Sequence, residues 1–177
     1  FQTTSFNADE LTVIWQTINI EHECHYCVPA HTGVAHMMGV DAELIDALRN
    51  KTNLPSEKLQ VLRRTTLSLV KNRGRISEGE VKAFAEAGYN SQQLLEITLG
   101  LAQKIMSNYV NHLASTPVDK AFEKYAQEIS KAQSKYQKAA EKAVTAKNPN
   151  QKINKTEDKL SDRLSKADNK FEQDVTK

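Results

Sequence analysis

Cysteine, glycine and proline are all scarce in these 177 residues. Two cysteines are too few for the disulfide framework that staples small secreted domains. Six glycines and four prolines leave long stretches without helix breakers, and 39% hydrophobic with 26% charged residues fits a mostly helical chain. A strong basic excess is also missing. With 24 basic and 22 acidic residues the net charge is +2, which argues against a protein that holds nucleic acid by electrostatics. No apolar run approaches the roughly 18 residues of a membrane span. Phe1 opens no basic–apolar leader, and the lack of an initiator Met is what an incomplete or processed N-terminus would give. The expected setting is cytoplasmic, where thiols stay reduced. The two cysteines then become the most informative residues in the chain.

What is present reads as a succession of helices. Asn7 is placed to cap a first helix over Ala8–Glu21, with Leu11, Ile14, Trp15 and Ile18 at helical spacing. A second is expected from about Cys24 to Met38, ending at Gly39, and a short third follows Asp41. Leu54-Pro55-Ser56 opens a fourth, with Leu59, Leu62 and Val70 inward. Ser77-Glu78-Gly79-Glu80 is a capping box for a fifth that ends at Gly88. Asn90–Ser115 carries apolar residues on most faces, which predicts a central buried helix with Gly100 at a close backbone approach. Thr116-Pro117 is placed to restart a helix with Pro in its first turn.

Beyond this point Val118, Phe122, Tyr125, Ile129, Ala132 and Tyr136 follow a 3.5-residue repeat. After Ala126 come 12 basic and 8 acidic residues, a net of +4 against −2 for the remainder. The organisation expected is a helical domain over residues 1–125 and a Lys-rich helical or partly disordered extension over 126–177.

The chemistry is concentrated in Cys24-His25-Tyr26-Cys27-Val28-Pro29-Ala30-His31. Pro29 is tolerated only in the first turn of a helix, so that helix must begin near the cysteines. Its N-terminal dipole and free N–H groups would favour thiolate there. Cys24, Cys27 and His31 fall on one helical face, three and four residues apart. A histidine one turn beyond a thiol can take its proton, and the second thiol can close a disulfide after oxidation of the first. Three readings stand side by side: a redox pair, a zinc site with His22, His25 or His36 as a fourth ligand, and an inert core.

The chain as a whole resembles the carboxymuconolactone decarboxylase superfamily, in its alkylhydroperoxidase D-like branch. The resemblance rests on Cys24-x-x-Cys27-x-x-x-His31 and the Ala35-His36-Met37-Met38-Gly39-Val40-Asp41 stretch. Asn72-Arg73-Gly74-Arg75-Ile76-Ser77, Phe84-Ala85-Glu86-Ala87-Gly88-Tyr89 and Asn108-Tyr109-Val110-Asn111-His112-Leu113 extend it, and Thr116-Pro117-Val118-Asp119 closes it. It covers about residues 4–125 and leaves the extension outside. Family members usually carry further helical sequence ahead of the position of Phe1.

The resemblance implies an all-α, oligomeric bundle and a thiol-dependent peroxidase. Its substrate would be a hydroperoxide, with electrons from an external dithiol or disulfide reductase. By the same resemblance Cys24 and Cys27 are the redox pair and His31 the motif histidine. Glu10 matches an upstream glutamate that feeds a proton relay. The four-residue spacing from Cys27 to His31 favours Cys27 as the attacking thiol and Cys24 as the resolving one, and the reverse order is the alternative. Asn111 and His112 are expected to serve packing or subunit contact. No cofactor, metal, nucleic acid or membrane enters this reading. Two alternatives carry their own tests: a decarboxylase-type lyase on a small organic acid, which would survive loss of both thiols, and a non-catalytic zinc-binding helical oligomer.

Overall fold

The computed structural model describes residues 4–145, and all regular structure among them is helical. Seven helices follow one another there: α1 (Ala8–Glu21), α2 (Cys27–Met37), α3 (Ala42–Arg49), α4 (Glu57–Lys71), α5 (Glu78–Glu86), α6 (Ser91–Leu113) and α7 (Glu123–Thr145). The chain divides into two units, Phe1–Ile129 and Ser130–Lys177. Of the second, only the stretch up to Thr145 lies among the described residues, so the rest of the Lys-rich extension expected over 126–177 falls outside them. No helix among the described residues is long and apolar enough to cross a membrane.

Local sequence sets most helix starts. Asn7, Ser56, Ser77 and Asn90 each accept a hydrogen bond from a backbone N–H of the first turn, and Asp41 does so for α3. Glu10, Glu80 and Gln93 return the bond to the cap backbone, completing three capping boxes.

The central helix is α1, which packs on α2, α3, α4 and α6. Val13, Ile14 and Ile18 on it are fully buried. They meet Leu44 and Leu48 of α3, Leu62 and Leu69 of α4, and Ile97 of α6 in one apolar cluster, with Phe84 of α5 beside them. The opposite side of α1 buries polar residues, Gln16 and Asn19. That division of α1 into an oily and a polar buried face positions the site.

The expectation of a central, buried Asn90–Ser115 helix is corrected. Helix α6 buries one narrow stripe, Gln93, Ile97, Gly100, Lys104 and Asn108, spaced three and four residues apart. Leu95, Leu99, Met106, Tyr109, Val110 and Leu113 on its other side are exposed, Leu113 at 89%. The expected helix restart at Pro117 is corrected as well. Ser115 takes a left-handed φ of 48°, and the Thr116 N–H returns to Asn111 O at 3.2 Å, which ends α6 in a tight cap.

Residues 116–122 then run back across α2 before α7 begins at Glu123. Tyr26 donates to Asp119 Oδ2 at 2.7 Å, and the rings of Phe122 and Tyr125 lie over Gly33. A Cβ at Gly33 would stand 2.7 Å from Phe122, so glycine is what lets this segment close on the helix.

Candidate active site

Helix α1 ends in a backbone motif that delivers the first cysteine. Glu23 adopts φ 53°, its N–H bonds Ile20 O at 3.2 Å, and the Cys24 N–H bonds Asn19 O at 3.1 Å. This is the paired C-terminal cap normally built on glycine, made here with a glutamate. It turns the chain so that α2 starts at Cys27, three residues later than the sequence suggests. Cys24 therefore precedes the helix and Cys27 is its first residue. The two are joined as a disulfide with Cα atoms 5.2 Å apart, and the Cys27 N–H donates to Cys24 Sγ at 3.2 Å. Cys24 is fully buried and Cys27 is 3% exposed.

A buried amide network holds this turn in place. Gln16 Nε2 donates to Val28 O at 3.2 Å and to Thr32 Oγ1 at 3.0 Å. Asn19 Nδ2 donates to Gln16 Oε1 at 3.3 Å and to Cys27 O at 3.5 Å. Asn108 Nδ2 of α6 donates to Asn19 Oδ1 at 2.9 Å, while its own Oδ1 accepts from His22 Nδ1 at 3.1 Å. Gln16, Asn19, Thr32 and Asn108 are all buried, so each bond is made in a low-dielectric setting where a missing partner is costly. Three helices are thereby locked around the first turn of α2. Asn111, one turn beyond Asn108, donates to Cys27 Sγ at 3.3 Å. That contact would favour a thiolate on Cys27 once the disulfide is reduced.

His31 stands one turn further along α2. Its ring lies 5.2 Å from Trp15, centroid to centroid, and its Nε2 is 2.5 Å from Lys104 Nζ. Burial first, and the Lys104 charge second, push the imidazole down to about 3, so it stays neutral across the physiological range. Its Nδ1 is buried with no hydrogen-bond partner among the described residues. Lys104 is 5% exposed, and burial pushes its amine down to about 8. The Lys104 amine also sits 5.4 Å from the centre of the Trp15 ring.

The sequence-expected residues are thus distributed unevenly. Cys24 and Cys27 are bonded together, and His31 occupies the next turn. Glu10 lies nine residues before Asn19 on α1, about 13 Å along the axis at the usual helical rise. Its carboxylate accepts from the Asn7 N–H at 3.1 Å and pairs with Lys58 at 2.9 Å. It also faces the Tyr89 phenol, which burial and the Glu10 charge hold well above its ordinary value. None of these contacts reaches His31 or either sulfur.

Each histidine considered as a zinc ligand has another role. His22 bonds Asn108, His25 Nε2 donates to Thr116 O at 2.9 Å and stacks on His112, and His36 stacks on Tyr125. Among the described residues no group of three or more His, Cys, Asp or Glu side chains is arranged to hold a metal ion.

Lys104 and Asn111 are the residues the sequence reading missed as site components. The signal was there: Lys104, Asn108 and Asn111 are polar at four- and three-residue spacing along one face of the helix.

No family model matches the chain, and no curated protein does. Among solved structures it is similar to an uncharacterized peroxidase-related protein from Silicibacter sp. TM1040, with 17% identity and a TM-score of 0.60. The match covers 68% of this chain and 64% of that one. At this identity the likeness is one of fold, and the all-α architecture expected from the sequence is the architecture found.

Proposed function

We propose that this chain is a thiol-dependent peroxidase that reduces hydroperoxides through Cys24 and Cys27. The observation that carries the reading is the Cys24–Cys27 pair, close enough to bond, buried at the start of α2 with an N–H donor aimed at Cys27 Sγ. The fold shared with a peroxidase-related protein agrees with it.

In the reduced chain the Cys27 thiolate attacks the terminal peroxide oxygen. An S–O bond forms as the O–O bond breaks, and the alkoxide takes a proton and leaves as an alcohol. Cys24 then attacks the sulfenic sulfur and water departs, which yields the disulfide. An external dithiol restores both thiols by two exchanges and is itself oxidised. The 3% exposure of Cys27 suits a small hydroperoxide and a small dithiol. Such a cycle turns over in a reducing compartment such as the cytoplasm. With Glu10 engaged by Lys58 and Asn7, the proton traffic belongs to His31 and its partner.

The same reading makes the chain a homo-oligomer. Within α6 the only Asp, Glu, Lys, Arg or His side chains are Glu96, Lys104 and His112; Glu96 is held by Thr4 and Ser5, and Lys104 is buried. The six large apolar side chains exposed there form the kind of patch that marks an interface. A second copy offering the same face would cover it, giving a solution mass above the 19.9 kDa of one chain.

Turnover with an organic hydroperoxide and a dithiol tests the assignment. Cys24→Ser and Cys27→Ser should each lose it. Full activity in both variants would refute the proposal, and conversion of a small organic acid without either thiol would point to a lyase.

A further inference from the structure

The proton chemistry of the proposed peroxidase has an end point that the Cys-x-x-Cys-x-x-x-His pattern does not contain. Lys104 reaches the site from α6, and its Nζ lies 2.5 Å from His31 Nε2. No carboxylate among the described residues forms an ion pair with it. Helix α6 packs on α1, α2 and α4. On α1, Glu10 and Glu21 are paired with Lys58 and Lys71 of α4, and Asp9 has no described bond to Lys104. On α4, Glu57 is paired with Arg64 of the same helix, and Arg63 donates to Thr52 O. On α2, His36 stacks on Tyr125, which leaves His31 as the titratable group that meets the Lys104 amine.

An imidazole bonded at one nitrogen has its tautomer fixed by that partner. When Lys104 is an ammonium it donates to Nε2, so His31 carries its hydrogen on Nδ1. When Lys104 is a free amine it accepts from Nε2–H, and Nδ1 exposes a lone pair. Nδ1 is the buried atom that has no partner among the described residues.

We propose that Lys104 is the terminal proton carrier of this site, exchanging protons with Cys27 through His31. The inference rests on the peroxidase reading for its catalytic meaning. His31 Nδ1 makes no bond to Cys27 Sγ while the disulfide is closed, so the step belongs to the reduced chain: there the Cys27 S–H proton moves to His31 Nδ1 as the Nε2 proton moves to Lys104 Nζ. The products are a Cys27 thiolate, a neutral His31 with hydrogen on Nδ1, and a Lys104 ammonium. After the thiolate has attacked the hydroperoxide, the Nδ1 proton passes to the departing alkoxide and Lys104 returns one to Nε2. Atoms and charges balance, and His31 never holds a net charge. Its strongly lowered basicity suits a conduit, while the Lys104 amine, near 8, suits a reservoir. Lys104 acts through His31 and is a positioning residue in that sense.

The test uses the reduced full chain and the rate at which iodoacetamide alkylates Cys27 as a function of pH, with peptide mass spectrometry separating Cys27 from Cys24. Lys104→Met should move the midpoint up by at least one pH unit, making alkylation at pH values below the wild-type midpoint about tenfold slower. Lys104→Arg keeps the charge but cannot release a proton. It should keep the wild-type midpoint yet lose at least tenfold in hydroperoxide turnover. An unchanged midpoint in Lys104→Met would overturn the proposal, and so would full turnover in Lys104→Arg. Lys104→Gln, checked by its thermal melt, replaces Met if that variant does not fold. Alkylation needs no peroxide, so a wild-type chain with a Lys104-dependent midpoint that consumes no hydroperoxide would sink the peroxidase reading alone.

Discussion

Replacing Lys104 by Met should stabilise the folded chain, and the size of the gain follows from the site. An isolated lysine titrates near 10.5, and burial between α1, α2 and α6 brings this one to about 8. Between those two values the unfolded chain binds a proton that the folded chain does not. Stability therefore rises with pH from about 8 to 10.5, and below 8 the full penalty of burying the ammonium is present. A gap of about 2.5 units corresponds to about 3 kcal/mol. Methionine has a similar reach and no charge, so Lys104→Met removes the penalty, offset in part by the bond it takes away from His31 Nε2. Trp15 is the only tryptophan, and the Lys104 amine sits 5.4 Å from its ring, so fluorescence reports unfolding from the site itself. Urea denaturation with the disulfide intact should show the variant more stable at pH 7, by at most about 3 kcal/mol, with the gap shrinking steadily up to pH 10. Tyr89 titrates alike in both chains and cancels. A variant no more stable than wild type at pH 7, or a gap that ignores pH, would refute the reasoning.

His31 refuses a proton until about pH 3 in the folded chain but accepts one near 6.5 when unfolded, so stability should fall as pH drops from 6.5 toward 3. The loss from this group approaches about 5 kcal/mol, and His31→Leu should flatten that limb of the acid denaturation curve. Glu23 occupies a left-handed backbone conformation that glycine adopts without strain, so Glu23→Gly should raise stability by about 1 kcal/mol, read as an increase in Tm.

Much of the fold was legible because its helix starts are written in side chains that bond backbone. Asn7 and Ser77 announce α1 and α5 through complete capping boxes, and Asp41 announces α3. Where an end is made by backbone alone the sequence is silent. Glu23 and Ser115 end α1 and α6 in left-handed turns without the glycine that usually signals one. That is why α2 starts three residues late and why no helix begins at Pro117. Contacts of Asp119 with Tyr26 and of Phe122 with Gly33 outweigh the local preference of proline for a first helical turn.

Periodicity also could not say which helix is central. Both α1 and α6 are rich in apolar residues, and only packing shows that α1 is enclosed while α6 turns Leu95, Leu99 and Leu113 outward. At the site, the pairing of Cys24 with Cys27 and the next-turn place of His31 were readable from spacing. Lys104 and Asn111 were not, since 73 and 84 residues separate them from His31 and Cys27.

The central claim is that the two cysteines exchange electrons with a hydroperoxide, and stoichiometry tests it most directly. The chain is reduced, freed of reductant and mixed with one equivalent of an organic hydroperoxide, and thiols, alcohol product and the Cys24–Cys27 peptide are measured together. The account predicts that both thiols disappear, one equivalent of alcohol forms and the two cysteines are recovered in one disulfide. Thiols that survive excess hydroperoxide, or that vanish without alcohol being formed, would contradict it.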